Sequence, residues 1–277
     1  MSNLVETQAI VMRSEPYSET SKIVTWLTHD YGRISTIIKG GMRPNSVHFG
    51  QFDLHYKTEL LFYYAANRQI YLVKEIYVLD RRPAFRTDWR AGACASYLSY
   101  LVSSTFPQRV TSPDLFTFYD ETLSMIELGK NLSTLLIRFE LLYADFLGIK
   151  PLLNVCASCH RSLHCEPSVF SPSRGAVACL DCGVNRAPGT ITVSADVSEI
   201  LKYLQDSKTW LAALNIKCND AQLTALEHLL GVFLEFHLDT NIAVRNIAFD
   251  CIKCSFGREH NNHEQTSDKI QENAWCR

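Results

Sequence analysis

The chain has 277 residues, 47% of them apolar and 20% charged, which supports a sizeable buried core and an expectation of about two domains. Twenty-seven Lys and Arg against 29 Asp and Glu give a formal net charge of −2, which excludes a uniformly basic surface and confines any nucleic-acid site to a local patch. Ten cysteines fall well below the roughly 8–10% of disulfide-built secreted chains. No run reaches the ~18 apolar residues needed to span a bilayer, and residues 1–8 lack a signal-type apolar run. The expectation is a reducing, cytoplasmic setting without membrane insertion.

Residues 4–13 alternate as a strand, and residues 22–28, rich in Ile, Val, Thr and Trp, read as a second. Asp30-Tyr31-Gly32 makes a turn into a third strand over 33–39, which Gly40-Gly41 ends before a loop with Pro44, Asn45 and Ser46. Residues 52–64 and 69–79 give two more across an Asn67-Arg68 turn. Five short strands in about eighty residues fit a small antiparallel barrel of the OB type, with a sandwich fragment as the competing arrangement. These eighty residues hold eight Lys plus Arg and eight Asp plus Glu, so distribution carries the signal. Residues 31–52 contain no acid but include Arg33, Lys39, Arg43 and His48. Gly40 and Gly41 would let backbone approach a phosphate, and Tyr17, Trp26, Tyr31 and Phe49 are candidates for base stacking. The alternative is a solvated basic edge with ordinary core aromatics.

After Asp80-Arg81-Arg82-Pro83 the periodicity becomes helical. One long helix is expected over 84–106 and a second opens at Ser112-Pro113-Asp114 and ends near Gly129. A third carries Leu132, Leu135, Leu136, Phe139, Leu142, Tyr143 and Phe146 on one face and delivers the chain to Cys156. Further helices are expected over 194–205 and 219–238, the latter with capping-box spacing at Asn219 and Gln222 and with His237 as a core or rim residue. The domain plan is therefore a barrel at 1–80, a helical domain at 81–153 resumed at 191–258, an inserted module at 154–190, and a polar tail at 259–277 expected to be disordered.

Cys156-x-x-Cys159 and Cys179-x-x-Cys182, nineteen residues apart, have the spacing of a four-thiolate structural zinc site. The residues between them are turn-rich and look unable to bury a core, so a metal would supply their order. A closed set of four cysteines leaves no open position for catalysis, and His160, His164 and Cys165 are expected to stand by. His164-Cys165-Glu166 followed by Cys179-x-x-Cys182 superficially matches a zinc deaminase, but Ala178 replaces the required proline. Cys251-x-x-Cys254 lacks a partner pair and is expected to hold ordinary thiols. With no phosphate-binding loop or nucleophile elbow, no enzyme is indicated.

Two blocks carry a family resemblance. Thr7 to Arg13, Tyr17-Ser18-Glu19, Lys22-Ile23-Val24, Leu27-Thr28, Gly32-Arg33-Ile34 and Lys39-Gly40 resemble the opening of the recombination mediator RecO family. Arg138 to Leu142, Gly148-Ile149-Lys150-Pro151, the first knuckle and Gly175 to Cys182 resemble its helix and zinc module. The resemblance spans about residues 5–240; His160 and Gly41-Met42 depart from the family's usual residues. It implies an α+β chain with an N-terminal OB-fold and a helical domain carrying a zinc finger. It implies a bacterial, nucleoid-associated repair protein without turnover, which binds single- and double-stranded DNA, anneals strands, and works with RecR and in some bacteria RecF. It further implies help to RecA in displacing single-stranded-DNA-binding protein, with Arg13, Lys22, Arg33, Lys39 and Arg43 facing DNA and Cys156, Cys159, Cys179 and Cys182 holding one Zn2+. The competing expectation is a zinc-stabilised protein adaptor whose barrel does not touch DNA.

Overall fold

The computed structural model describes residues 3–184 and 189–254. Five strands, β1 (Asn3–Pro16), β2 (Lys22–Thr28), β3 (Gly32–Ile38), β4 (Lys57–Tyr64) and β5 (Ile70–Asp80), close a barrel in the order β1-β2-β3-β5-β4. Neighbours run antiparallel except β3 and β5, which pair in parallel from Ser35 opposite Ile70 to Ile37 opposite Leu72. This is the barrel expected of an OB-fold. Alternation directs Ile34, Thr36 and Ile38 of β3 inward with Val24 and Trp26 of β2, and Trp26 Nε1 donates to Thr36 Oγ1 at 2.7 Å. The buried Trp26 is thus a core residue, unavailable for base stacking.

β1 serves both halves of the barrel, pairing with β4 through Ile10 and with β2 from Ala9 onward, and a register shift between Val11 and Arg13 lets it bend. The stretch expected to open the fourth strand instead turns against this bend. His55 N–H donates to Val11 O at 2.9 Å and Val11 N–H to Tyr56 O at 3.0 Å, so β4 begins only at Lys57.

The helical body opens with α1 (Ala84–Thr87) and α2 (Trp89–Thr105). The single helix expected here breaks at Asp88, whose side chain caps α2 by accepting from Arg90 N–H at 3.0 Å. α3 (Pro113–Glu127) and α4 (Leu132–Phe146) follow, then a three-stranded sheet of β6 (Ser168–Ser171), β7 (Ala176–Cys179) and β8 (Ile191–Val193) in the order β7-β6-β8. α5 (Ala195–Asp206), α6 (Leu211–Asn215), α7 (Asp220–His237) and α8 (Ile242–Lys253) complete the described residues. α6 and α8 lie outside the helices expected from the sequence, and the tail at 259–277 lies outside the described residues.

The inter-knuckle segment also differs from expectation. Leu163, Val169, Phe170 and Val177 are buried, and Leu163, Phe170 and Val177 belong to the core that α4 and α7 form, where Phe170 meets Phe233 edge-on at 6.0 Å. The same core takes in Ile10, Met12 and Leu27 from the outer barrel face, so barrel and helices share apolar packing. Within it Glu140 accepts from Arg245 Nε and Nη2 at 2.7 and 2.9 Å and from Tyr97 Oη at 2.7 Å, so this buried carboxylate is fully paired.

Candidate nucleic-acid interface and metal centre

Two loops meet at one end of the barrel. Met42 N–H donates to Thr20 O at 3.0 Å and Gly40 N–H to Ser21 Oγ at 3.2 Å, tying the β3–β4 loop to the β1–β2 loop. Gly40 turns at φ 65°, which favours glycine, and the Arg43 side chain folds over it. A Cβ on Gly41 would lie 2.7 Å from Ile38 Cγ2, so this glycine serves packing rather than approach by a ligand.

Lys39 and Arg43 are exposed on this loop. Lys22 joins them because it pairs with Ile38 in the ladder, and its Nζ lies 5.9 Å from the Phe52 ring centre. Tyr17 (62% exposed), Val47 (76%) and Phe49 (55%) stand on the same two loops without burial partners. Among the described residues Lys22, Lys39 and Arg43 form no ion pair. Arg13 lies farther along β1, its guanidinium 2.6 Å from Glu15. Arg33 occupies the other end of β3, where Nη2 donates to Phe106 O at 3.1 Å, Nε is buried without a partner, and burial lowers its pKa. Three of the five sequence candidates therefore gather and two stand apart.

The four cysteines converge as the spacing predicts: the Sγ atoms of Cys156, Cys159, Cys179 and Cys182 lie within 4.8 Å of one another. Tetrahedral Zn–S bonds of ~2.3 Å set sulfurs about 3.8 Å apart, and Cys159 Sγ to Cys179 Sγ is 3.9 Å. Cys156 Sγ accepts backbone N–H groups from Ser158 at 3.4 Å and Cys179 at 3.3 Å, the donor pattern that suits a thiolate. Burial opposes ionisation of Cys156, yet N–H groups of Cys159, Cys179 and Ser158 outweigh it and bring the thiol down to about 6. The crowded thiols of Cys179 and Cys159 push Cys182 up to about 12. A four-thiolate metal ion fits this donor set.

Local structure holds the knuckles in place. Cys156 N–H donates to Arg161 O and His160 N–H to Cys156 O, both at 2.9 Å, while Ala157 N–H reaches Val177 O of β7 at 2.8 Å. Arg161 Nη2 pairs with Glu166 at 3.0 Å and stands 3.9 Å from Asp181. His237 Nε2 contacts Pro172 O at 2.8 Å, the satisfied rim role expected of it. Cys251 and Cys254 belong to no metal-type cluster among the described residues.

A closed five-stranded barrel with a cationic, aromatic loop end, packed by its outer face against a helical body whose small sheet module carries four convergent thiols, defines an OB-barrel protein with a four-cysteine module. Two family profiles match it in tandem, Recombination protein O N terminal over residues 1–82 and Recombination protein O C terminal over residues 86–245. The chain is 29% identical over 244 residues to the DNA repair protein RecO of Roseiflexus sp. (strain RS-1), covering 88% of this chain and 83% of the relative. The RecO of Alkaliphilus metalliredigens (strain QYMF) is 27% identical over 239 residues, covering 85% and 94%. The chain belongs to the RecO family of DNA repair proteins. Among the described residues no helix is long and apolar enough to cross a membrane.

Proposed function

We propose that this chain is a recombination mediator without catalytic turnover, which binds single- and double-stranded DNA and anneals complementary strands. It works with RecR, and in some bacteria RecF, to help RecA displace single-stranded-DNA-binding protein. The observation that carries this is the gathering of Lys22, Lys39 and Arg43 on loops that also expose Tyr17 and Phe49, at one barrel end of a RecO-family chain. Cations on phosphates supply affinity, and aromatic faces accept any base. Arg33 joins barrel to helices in this scheme, and Arg13, paired with Glu15, contributes less.

The four-cysteine set holds one structural Zn2+. When bound, the ion cross-links two knuckles and offers no open coordination position. Its ligands lie on the module seated against α7, so the metal fixes the helical body rather than acting on DNA.

The salt dependence of single-stranded oligonucleotide affinity tests the site. At roughly 0.7 per phosphate contact, the K39A/R43A double variant should flatten the log affinity against log salt slope by about 1.4. An unchanged slope overturns the assignment of these two residues. Failure of the native chain to bind any oligonucleotide at low salt overturns the function itself and leaves the protein adaptor.

A further inference from the structure

The opposite end of the barrel carries a second construction that the basic loop does not explain. The connector between α2 and α3 returns to the barrel and lies along the start of β3. Gln108 bridges Arg33 in parallel, Arg109 N–H donates to Arg33 O at 3.2 Å, and Thr111 Oγ1 donates to Asp30 O at 3.1 Å. The approach is close enough that a Cβ on Gly32, itself at φ 64°, would lie 2.3 Å from Val110 O. Arg109 is held in the left-handed region at φ 63°, unfavourable for a non-glycine residue and maintained by its surroundings. Its guanidinium donates to Arg68 O in the β4–β5 turn and stands 5.8 Å from the Tyr71 ring centre.

From there aromatic rings continue outward. Tyr71 stacks on Tyr64 at 5.3 Å and 27°, and Tyr64 meets Tyr31 at 5.4 Å. Tyr71 is buried, whereas Tyr64 and Tyr31 are half-buried at the rim of the barrel core against which they pack. Arg68 and Arg109 are both exposed and form no ion pair among the described residues. The nearby carboxylate of Asp30 is occupied by Thr7 Oγ1 and His29 Nδ1, each at 2.7 Å. A fixed ring ladder flanked by two guanidinium groups free of carboxylates has the composition of a single-strand platform, with bases on the rings and phosphates on the arginines.

We infer that Tyr31, Tyr64, Arg68 and Arg109 form a second single-stranded nucleic-acid subsite, at the far end of β3 from Lys39 and Arg43, built jointly by the barrel and the helical body. The inference rests on the DNA-binding reading above. Six residue steps along β3 separate Arg33 from Lys39, roughly 20 Å at about 3.3 Å per step. One strand must be several nucleotides long to occupy both ends, within the roughly 4–16 nucleotides that one OB barrel accommodates.

Fluorescein-labelled oligothymidylates of 4 and 16 nucleotides, titrated into the full chain, provide the test. Arg109→Asn keeps a residue tolerant of the left-handed backbone, and Tyr64→Leu removes the ring while Tyr64→Phe retains it. Arg109→Asn and Tyr64→Leu should each weaken 16-mer binding by about tenfold while 4-mer binding at the basic end persists, and Tyr64→Phe should behave as native. Arg109→Asn should also lower the 16-mer salt slope by about 0.7, which loss of packing alone would not do. If both variants, shown folded by circular dichroism, bind the 16-mer as the native chain does, the subsite is overturned. If the native chain binds neither length, the DNA-binding reading fails and the subsite with it.

Discussion

His55 shows how a single residue reports on the bend in β1. It sits at φ 68°, its ring edge-on to Phe85 at 5.4 Å and its Nδ1 3.3 Å from Ser99 Oγ. Burial, with Arg82 nearby, pulls its pKa down to about 4. The unfolded chain takes up this proton at its ordinary value of ~6.5, so between the two values the unfolded state binds more protons. His55 therefore leaves stability intact above pH 6.5 and removes it as pH falls towards 4, by up to about 3 kcal/mol. Because Asn tolerates the left-handed backbone, His55→Asn should give a flatter plot of urea-unfolding free energy against pH across that window. Parallel plots for native chain and variant would remove His55 as the source. The sequence placed His55 inside a strand, since Phe52 to Tyr56 has strand-like composition; the hydrogen bonds that turn it are made to Val11, far away in the chain.

At the level of elements, the cysteine module joins the four-thiol cluster to the packing of the helical body. β6 and β7 pair from Ser168 opposite Cys179 to Ser171 opposite Ala176, so the second knuckle begins where the ladder ends. Elemental analysis should find one zinc per chain, and chelation should speed proteolytic cleavage between residues 159 and 179 while the barrel stays uncut. Cleavage unaffected by chelation would show that packing alone orders the module. Elements with local signals are legible: β2 spans the residues its Ile, Val, Thr and Trp content predicts, and α7 opens with the capping box predicted at Asn219 and Gln222. The convergence of the four cysteines is legible because Cys-x-x-Cys spacing brings the two thiols of each knuckle together locally. What could not be read depended on distant partners. Phe170 and Val177 sit in a turn-rich segment whose core is supplied by α7, and α8 acquires its place from packing on α2 and α4. Arg33 looked like a member of the basic window because sequence distance from Lys39 is short, whereas β3 carries the two to opposite barrel ends. The Arg109 to Tyr71 contact was invisible for the same reason, as Arg109 belongs to the helical half in sequence and to the barrel in space.

Across the whole molecule, the division into two family profiles at residues 82 and 86 runs between two apolar cores, one inside the barrel and one in the helical body, but the second reaches back across it. Ile10, Met12 and Leu27 are buried with α2 and α4 residues, and Lys57 reaches Asp120 of α3 at 2.6 Å. The seam of the barrel makes the dependence sharper. β5 meets β3 only from Ser35 onward, so the Arg33 carbonyl at the edge is satisfied by Arg109 from the helical half. A chain ended at residue 82 would bare that edge together with the apolar Ile10, Met12 and Leu27. Unpaired strand edges beside exposed apolar surface template pairing between chains. Sedimentation should accordingly find residues 1–82 alone in concentration-dependent oligomers, and a monodisperse monomer would show that the barrel closes its own seam. The α2–α3 connector thus acts as a guard against misassembly: the helical half protects the barrel from other copies of itself.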